Sequence, residues 1–262
     1  MNNIRPFLLI SLLVAACAAE ADEGSFTVVP AVDLAFKNSR YSFPAIDVDI
    51  KFKASYTTLV PSLTIGYGSF YGVANYDFTV AESVKIVTGS ASDPSFNTID
   101  YSRKDASLTL GYRLHPSVSL FAGYTQGKGT VLISGYDPSG PFGATRIYNA
   151  NGFYAGVGLG YAITEKGSVS LSAAYGSLNG LLSGANGSSN FEIDSKAPGY
   201  SVNLAWNHAA TATTSYRVGI KYTAYTFEGK EFRENGIVTP IPRAFDYYER
   251  ITTFYIGIVE SF

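Results

Sequence analysis

The sequence predicts an all-β chain, an antiparallel up-and-down transmembrane β-barrel of about ten strands with long extracellular loops and short periplasmic turns. Three observations predict it. Ten stretches of roughly 10 to 13 residues alternate apolar with small or polar side chains, the period of two that sends successive residues to opposite faces of a strand. The connections between them are alternately very short and long. After the N-terminal segment no run reaches the ~18 apolar residues that a membrane helix requires, so a helical membrane protein is excluded.

Taken in order, the first strand sets Phe26, Val28, Pro30, Val32, Leu34 and Phe36 on one face and Thr27, Ala31, Asp33 and Lys37 on the other. The second presents Leu59, Pro61, Leu63, Ile65 and Tyr67, turns at Gly68 and Ser69, and returns as the third with Phe70, Gly72, Ala74, Tyr76 and Phe78. The fourth opposes Leu108, Leu110, Tyr112 and Leu114 to Ser107, Thr109, Gly111 and Arg113. Past the turn at His115, Pro116 and Ser117, the fifth resumes with Val118, Leu120, Ala122 and Tyr124 against Ser119, Phe121, Gly123 and Thr125. The sixth and seventh, joined at residues 164–167, carry Phe153, Ala155, Val157, Leu159, Tyr161 and Ile163, then Val169, Leu171, Ala173 and Tyr175. The eighth and ninth, joined at residues 209–214, carry Tyr200, Val202, Leu204 and Trp206, then Tyr216, Val218, Ile220, Tyr222 and Ala224. The last offers Phe254, Ile256, Ile258 and Phe262, with Tyr255, Gly257, Val259 and Ser261 also fairly apolar, so either phase is open there. Pro30 and Pro61 each remove a ladder donor inside a strand, so bulges or local fraying are expected at both.

Alternation alone leaves open which face is outside, because a soluble barrel or sandwich buries its apolar stripe and a membrane barrel turns it to lipid. Four features select lipid. The polar face is rich in Gly, Ala and Ser, which suits a crowded interior better than a watered surface. The centres of the apolar stripes carry no Asp, Glu, Lys or Arg, as hydrocarbon demands. Aromatic residues recur near stripe ends, at Tyr67, Phe70, Tyr112, Tyr124, Tyr161 and Tyr175, where an interfacial girdle lies. About ten residues is also the length with which a tilted strand crosses a bilayer. The long connections fall near residues 38–54, 80–101, 127–149, 178–197 and 228–246. Ten strands then place both termini on the short-turn, periplasmic side.

The chain divides into a secretory signal, residues 1–21, and a barrel domain, residues 22–262. Asn2, Asn3 and Arg5 precede an apolar run over residues 7–16, and Ala19-Glu20-Ala21 offers a small-residue cleavage site. A competing reading takes Val14-Ala15-Ala16-Cys17 as a lipoprotein processing box with Cys17 lipidated. Under the first reading the single Cys leaves with the signal, and backbone hydrogen bonds replace disulfides as the source of stability.

The segments Ser107-Leu108-Thr109-Leu110-Gly111-Tyr112-Arg113-Leu114 and Val118-Ser119-Leu120-Phe121-Ala122-Gly123-Tyr124, with the terminal Tyr255-Ile256-Gly257-Ile258-Val259-Glu260-Ser261-Phe262, resemble the strands and C-terminal assembly signal of small Gram-negative outer-membrane β-barrels. The resemblance is one of architecture and covers essentially the whole mature chain. It implies location in the outer membrane, contact with membrane lipid, and recognition of the terminal Phe262 by the barrel-assembly machinery. Glu260 departs from the apolar residue the pattern places there.

Catalysis is not expected. The only two histidines, His115 and His208, sit at the short turns, away from the long loops and without a Ser or Asp arrangement that spacing reveals. His and Cys are also too few for a transition-metal site, no cofactor is implied, and no basic stripe points to nucleic acid. Asp47, Asp49, Lys51 and Lys53 alternate in the first long loop and read as paired charges on a hairpin continuing above the membrane rather than as a calcium site. Glu228, Glu231, Arg233 and Glu234 read as a solvated run on a loop.

The lumen is the stronger functional candidate. Asp33, Asn75, Asp77, Asn203, Arg217 and Lys221 fall on inward positions, with Phe121, Tyr154 and Tyr225 as bulk. Such charges either pair into a closed lumen or line a narrow path for small solutes. The alternative is a surface-exposed adhesin or interaction protein. It would act through loops such as the Gly-, Ser- and Asn-rich stretch over 177–195 and the Gly- and Pro-rich stretch over 136–145, with an extracellular ligand as partner.

Overall fold

The apolar stripes do close into a barrel. The computed structural model describes residues 26–44, 49–85, 96–137, 140–186, 189–239 and 246–262. The strands are β1 (Phe26–Pro44), β2 (Asp49–Tyr67), β3 (Phe70–Lys85), β4 (Phe96–His115), β5 (Val118–Asp137), β6 (Gly140–Ala162), β7 (Gly167–Asn186), β8 (Ser189–Ala209), β9 (Thr214–Glu234), β10 (Ile237–Thr239) and β11 (Asp246–Glu260). Each pairs antiparallel with its chain neighbour; β11 lies between β9 and β1 and closes the ring, while β10 only folds back on the end of β9. Ten strands therefore form the wall. The proposed signal with Cys17, and Asp47, lie outside the described residues.

One circuit of the ladder fixes the barrel's size. From Tyr41 the partners run through Glu249, Tyr225, Gly199, Gly176, Tyr154, Gly123, Thr109, Val73 and Thr64 to Val29, twelve residues (41 minus 29) back along the starting strand. Ten strands with a shear of twelve, at ordinary strand spacing and rise, tilt by about 40° and close at a backbone radius of about 10 Å.

The outward stripe matches the sequence reading on every strand. Phe36, Leu110, Phe153, Val157, Leu204 and Ile256 are exposed, while the intervening residues face inward. On the last strand the phase is settled, with Phe254, Ile256 and Ile258 outside and Tyr255 and Val259 buried. From Phe26 to Phe36 the stripe rises about 25 Å along the axis, the height of an outer-membrane apolar band. Aromatic girdles bound it. Tyr67, Phe70, Tyr112 and Tyr161 stand at the end with short turns, and Tyr124, Phe153, Tyr175, Tyr200 and Tyr222 stand at the other.

The strands are about twice as long as their apolar stripes, and here the expected loops are corrected. The ladder runs unbroken to Pro44↔Asp49, Asp137↔Gly140 and Asn186↔Ser189, so the stretches over 38–54, 127–149, 136–145, 177–195 and 178–197 are mostly paired strand. Glu228, Glu231, Arg233 and Glu234 likewise lie on β9, where Arg233 pairs with Glu231 at 2.9 Å and with Asp194 of β8 at 3.5 Å. The reason is an inversion of polarity. Beyond the girdle the outer face turns polar, as at Asn38, Arg40, Gln126 and Lys128, while the inner face becomes apolar. Tyr41, Tyr56, Tyr101, Val131, Tyr148, Leu178, Leu182, Ile193, Phe227 and Tyr247 form one buried cluster there. The extension is built like a soluble barrel standing on a membrane one.

The prolines disturb one side each. Between β1 and β2 pairing is continuous through Pro30↔Leu63 and Val32↔Pro61. The β1–β11 ladder starts only at Ala31, and the β2–β3 ladder lapses between Leu59↔Phe78 and Ser62↔Asn75. Each missing N–H thus faces a gap, without a bulge at either proline; the bulge lies at Thr57 and Thr58.

Candidate functional site

The inner face divides into layers from the short-turn end to the hairpin end. The first is a water-accessible cavity of about 530 Å³, lined at its mouth by His115, Pro116 and Ser117 and reaching up to Arg103, Asp105 and Tyr225. All six lumen residues inferred from the sequence, Asp33, Asn75, Asp77, Asn203, Arg217 and Lys221, line it. They are not all partners of one another.

Asp33 and Arg217 are. The guanidinium of Arg217 on β9 donates from Nε to Oδ1 of Asp33 at 3.1 Å and from Nη2 to Oδ2 at 2.5 Å, a two-point bond that holds the fork in one plane. The pair spans an intervening strand, because the ladder runs Asp33↔Gly257↔Arg217. A Cβ at Gly257 would coincide with Asp33 Oδ1 and stand 2.8 Å from the Val32 carbonyl oxygen, so the bridge exists only over a glycine. Arg217 also lies over the ring of Tyr255, 5.6 Å from its centroid, and the Tyr255 hydroxyl donates to Asn203 Oδ1 at 2.9 Å. Asn75 accepts from Ser107 Oγ at 3.0 Å. Lys221 projects into the cavity with no hydrogen bond or ion pair among the described residues.

Above, Asp77 meets groups that the sequence reading did not count among the lumen candidates. Lys37 donates to Asp77, while Arg103 donates from Nε to Asp105 Oδ2 at 2.6 Å and from Nη1 to Glu249 Oε1 across the lumen. Glu249 also accepts from the Tyr41 hydroxyl, which meets that of Tyr101. Charge passes here into the aromatic cluster. Tyr41 lies 5.5 Å from Tyr101 and 5.4 Å from Tyr148 between ring centroids, and Phe227 stacks on Tyr247 at 4.3 Å with the planes 6° apart. Tyr101, Leu182 and Ala54 have no exposed surface. The signal for these residues was the phase itself, since Lys37, Ser39 and Tyr41 continue the inward face of Asp33 in steps of two, and Asp105, Arg103 and Tyr101 continue that of Ser107.

Inward glycines and aromatics, which a composition reads as opposed, fit together. The Tyr71 ring lies over Gly111, Tyr154 over Gly123, Phe121 over Gly156, Tyr225 over Gly199 and Tyr255 over Gly219, each glycine giving the neighbouring strand's ring a seat. Both histidines stay at the short-turn end: His115 Nδ1 accepts from the Ser117 N–H at 3.2 Å, and His208 stacks on Trp206.

This architecture has solved counterparts. The chain is similar to the outer membrane protease OmpT from Escherichia coli, with a TM-score of 0.69, 10% sequence identity, and coverage of 95% of this chain and 100% of that one. The fold is that of the outer-membrane β-barrels. The chain also aligns with the translocator domain of the autotransporter NalP from Neisseria meningitidis at a TM-score of 0.47 and 9% identity, covering 92% of this chain and 90% of that one. Neisserial surface protein A aligns at a TM-score of 0.34 and 10% identity, covering 90% and 97%. No protein-family model and no curated protein matches the sequence.

Proposed function

We propose that this protein is a closed barrel of the Gram-negative outer membrane, a surface platform rather than a passive pore. In this reading the short turns and both termini face the periplasm, and the strand extension stands outside the cell. The observation that carries it is the buried cluster around Tyr41, Tyr101, Tyr148, Phe227 and Tyr247, which fills the lumen above the ion pairs and separates the cavity from the hairpin end. A core this dense excludes hydrated solutes and makes the extension a stiff support for whatever its hairpins bind. Catalysis is not part of the proposal, because both histidines lie at the opposite end from the hairpins. The membrane lipid around the band and the barrel-assembly machinery reading Phe262 are its general partners; the specific one is an extracellular ligand of the hairpins.

The test is conductance of the purified full chain in planar bilayers. The parent is expected to show no steady single-channel current, and the double variant Tyr101→Ala/Tyr247→Ala to show one. Steady conductance in the parent overturns the closed barrel. The narrow-pore reading has one observation in its favour, the cavity that reaches half-way through. It requires parent conductance that falls or changes selectivity in Arg217→Ala. Cell or matrix binding that survives Arg217→Ala and disappears when the β7–β8 hairpin is trimmed supports the platform.

A further inference from the structure

The outer wall carries an arrangement that a β-sheet normally avoids. In one row of the ladder, Arg40 of β1 stands directly opposite Lys53 of β2 on one side and Arg250 of β11 on the other, and all three side chains are exposed on the outer face. Like charges directly opposite one another destabilise a sheet, so three cations abreast need an external counter-charge. None lies nearby among the described residues. The outward positions two residues away whose side chains are described are Asn38, Ser55, Tyr248 and Thr252, and among the described residues none of the three cations enters an ion pair. Among the described residues Arg250 has only the ring of Tyr248, 4.9 Å from its guanidinium carbon.

The height of the row is also specific. Arg40 comes four residues after Phe36, the last apolar position of the β1 stripe, and Lys128 comes four after Tyr124 of the girdle. At that level β4 and β5 repeat the motif with Lys104 directly opposite Lys128, both exposed. Elsewhere the same belt is neutralised within the protein. Lys196 of β8 donates to Asn179 Oδ1 at 2.7 Å and has Glu228 as its partner on β9. The uncompensated cations thus stand in the layer where lipid headgroups surround the barrel.

We propose that Lys53, Arg40 and Arg250 form a binding site on the outer wall for the phosphate-bearing headgroup of an anionic membrane lipid. Neighbouring strands lie about 4.8 Å apart, so the three cations span about 10 Å, a width that one or two phosphates of a single headgroup fill. Long side chains on this row reach back toward the girdle and meet the phosphate from the side. The site rests on the bilayer placement given above and not on the state of the lumen, so a conducting parent leaves it standing.

The experiment uses the full chain folded in dodecyl maltoside, with unfolding followed on heating as micelles are doped with phosphatidylglycerol, with zwitterionic phosphatidylcholine, or with neither but inorganic phosphate at matched ionic strength. Phosphatidylglycerol is expected to raise the unfolding temperature of the parent, and phosphatidylcholine to leave it unchanged. Each single variant, Arg40→Gln, Lys53→Gln or Arg250→Gln, is expected to weaken the apparent affinity for phosphatidylglycerol about fivefold, and the triple variant on the order of a hundredfold. Lys196→Gln should match the parent. In lipid-free micelles at low salt the sign reverses, and the triple variant should outlast the parent because the repulsion is gone. An equal response of parent and triple variant to phosphatidylglycerol overturns the site. An equal effect of inorganic phosphate overturns the lipid as its occupant. The single variants keep the test decisive if the triple variant does not fold.

Discussion

Replacing Arg103 by Gln should be among the costliest single changes in the lumen. Arg103 is nearly buried, with its side chain 8% exposed, and it joins β4 to β11 by holding Asp105 at 2.6 Å and Glu249 on the opposite wall. Without it two carboxylates face each other, and among the described residues Glu249 keeps only the Tyr41 hydroxyl. Breaking a buried pair from one side costs about 3 to 5 kcal/mol; the lower end, about 3 kcal/mol, applies to a network that borders a watered cavity. Glu249→Gln is milder, at about 1 to 2 kcal/mol, because Arg103 keeps Asp105 and the Tyr41 bond persists. The double variant leaves neither an orphaned cation nor two facing acids, so its cost should fall short of the sum by about 1 to 3 kcal/mol. Urea unfolding in lipid vesicles, followed through the single tryptophan, Trp206, measures all three, because its ring lies half-exposed on the lipid face of β8. Additivity within about 0.5 kcal/mol refutes the reasoning, since it means that Arg103 and Glu249 do not act on each other.

Two further outcomes follow from positions already described. Gly257→Val should displace Asp33 from Arg217 and lower stability by about 2 to 4 kcal/mol, whereas the flanking, lipid-facing Ile258→Val should cost about 1 kcal/mol; both are read by the same urea titration, and equal costs would sink the glycine bridge. Phe262 lies past the end of β11, 81% exposed, and its backbone N–H donates to the Val28 carbonyl oxygen at 3.2 Å. Its deletion should leave unfolding of the refolded barrel within about 0.5 kcal/mol of the parent while lowering the amount assembled in cells several-fold; a large stability loss in vitro would instead make Phe262 a packing residue.

The barrel class and the lumen face were legible because lipid writes a simple pattern, with every second residue apolar and uncharged across the band. Asp33, Arg217 and Asn203 could be placed inside by phase alone. The pairing of Asp33 with Arg217 was not legible, because the ladder that aligns them across β11 joins residues far apart in sequence. Tyr41, Tyr101 and Glu249 escaped for a different reason. They lie where the outer face has turned polar and the inner face aromatic, so the contrast that marks a strand in the membrane reverses, and Tyr41 and Tyr101 fall in stretches that read as long connections. Glu260, which departs from the expected terminal pattern, accepts a bond from Thr214 Oγ1 at 2.8 Å at the short-turn rim. A carboxylate is tolerated there because the apolar band has ended.

The tyrosines that stop the lumen belong to the wall itself. They come from β1, β2, β4, β6 and β11, and no separate domain or loop segment among the described residues has to be withdrawn to clear the bore. Mechanically, such a stopper cannot be ejected. It yields only if several rings rotate together or the cross-section flattens, so pulling on a single hairpin tip, by a ligand or a neighbouring cell, strains the whole circumference before it opens anything.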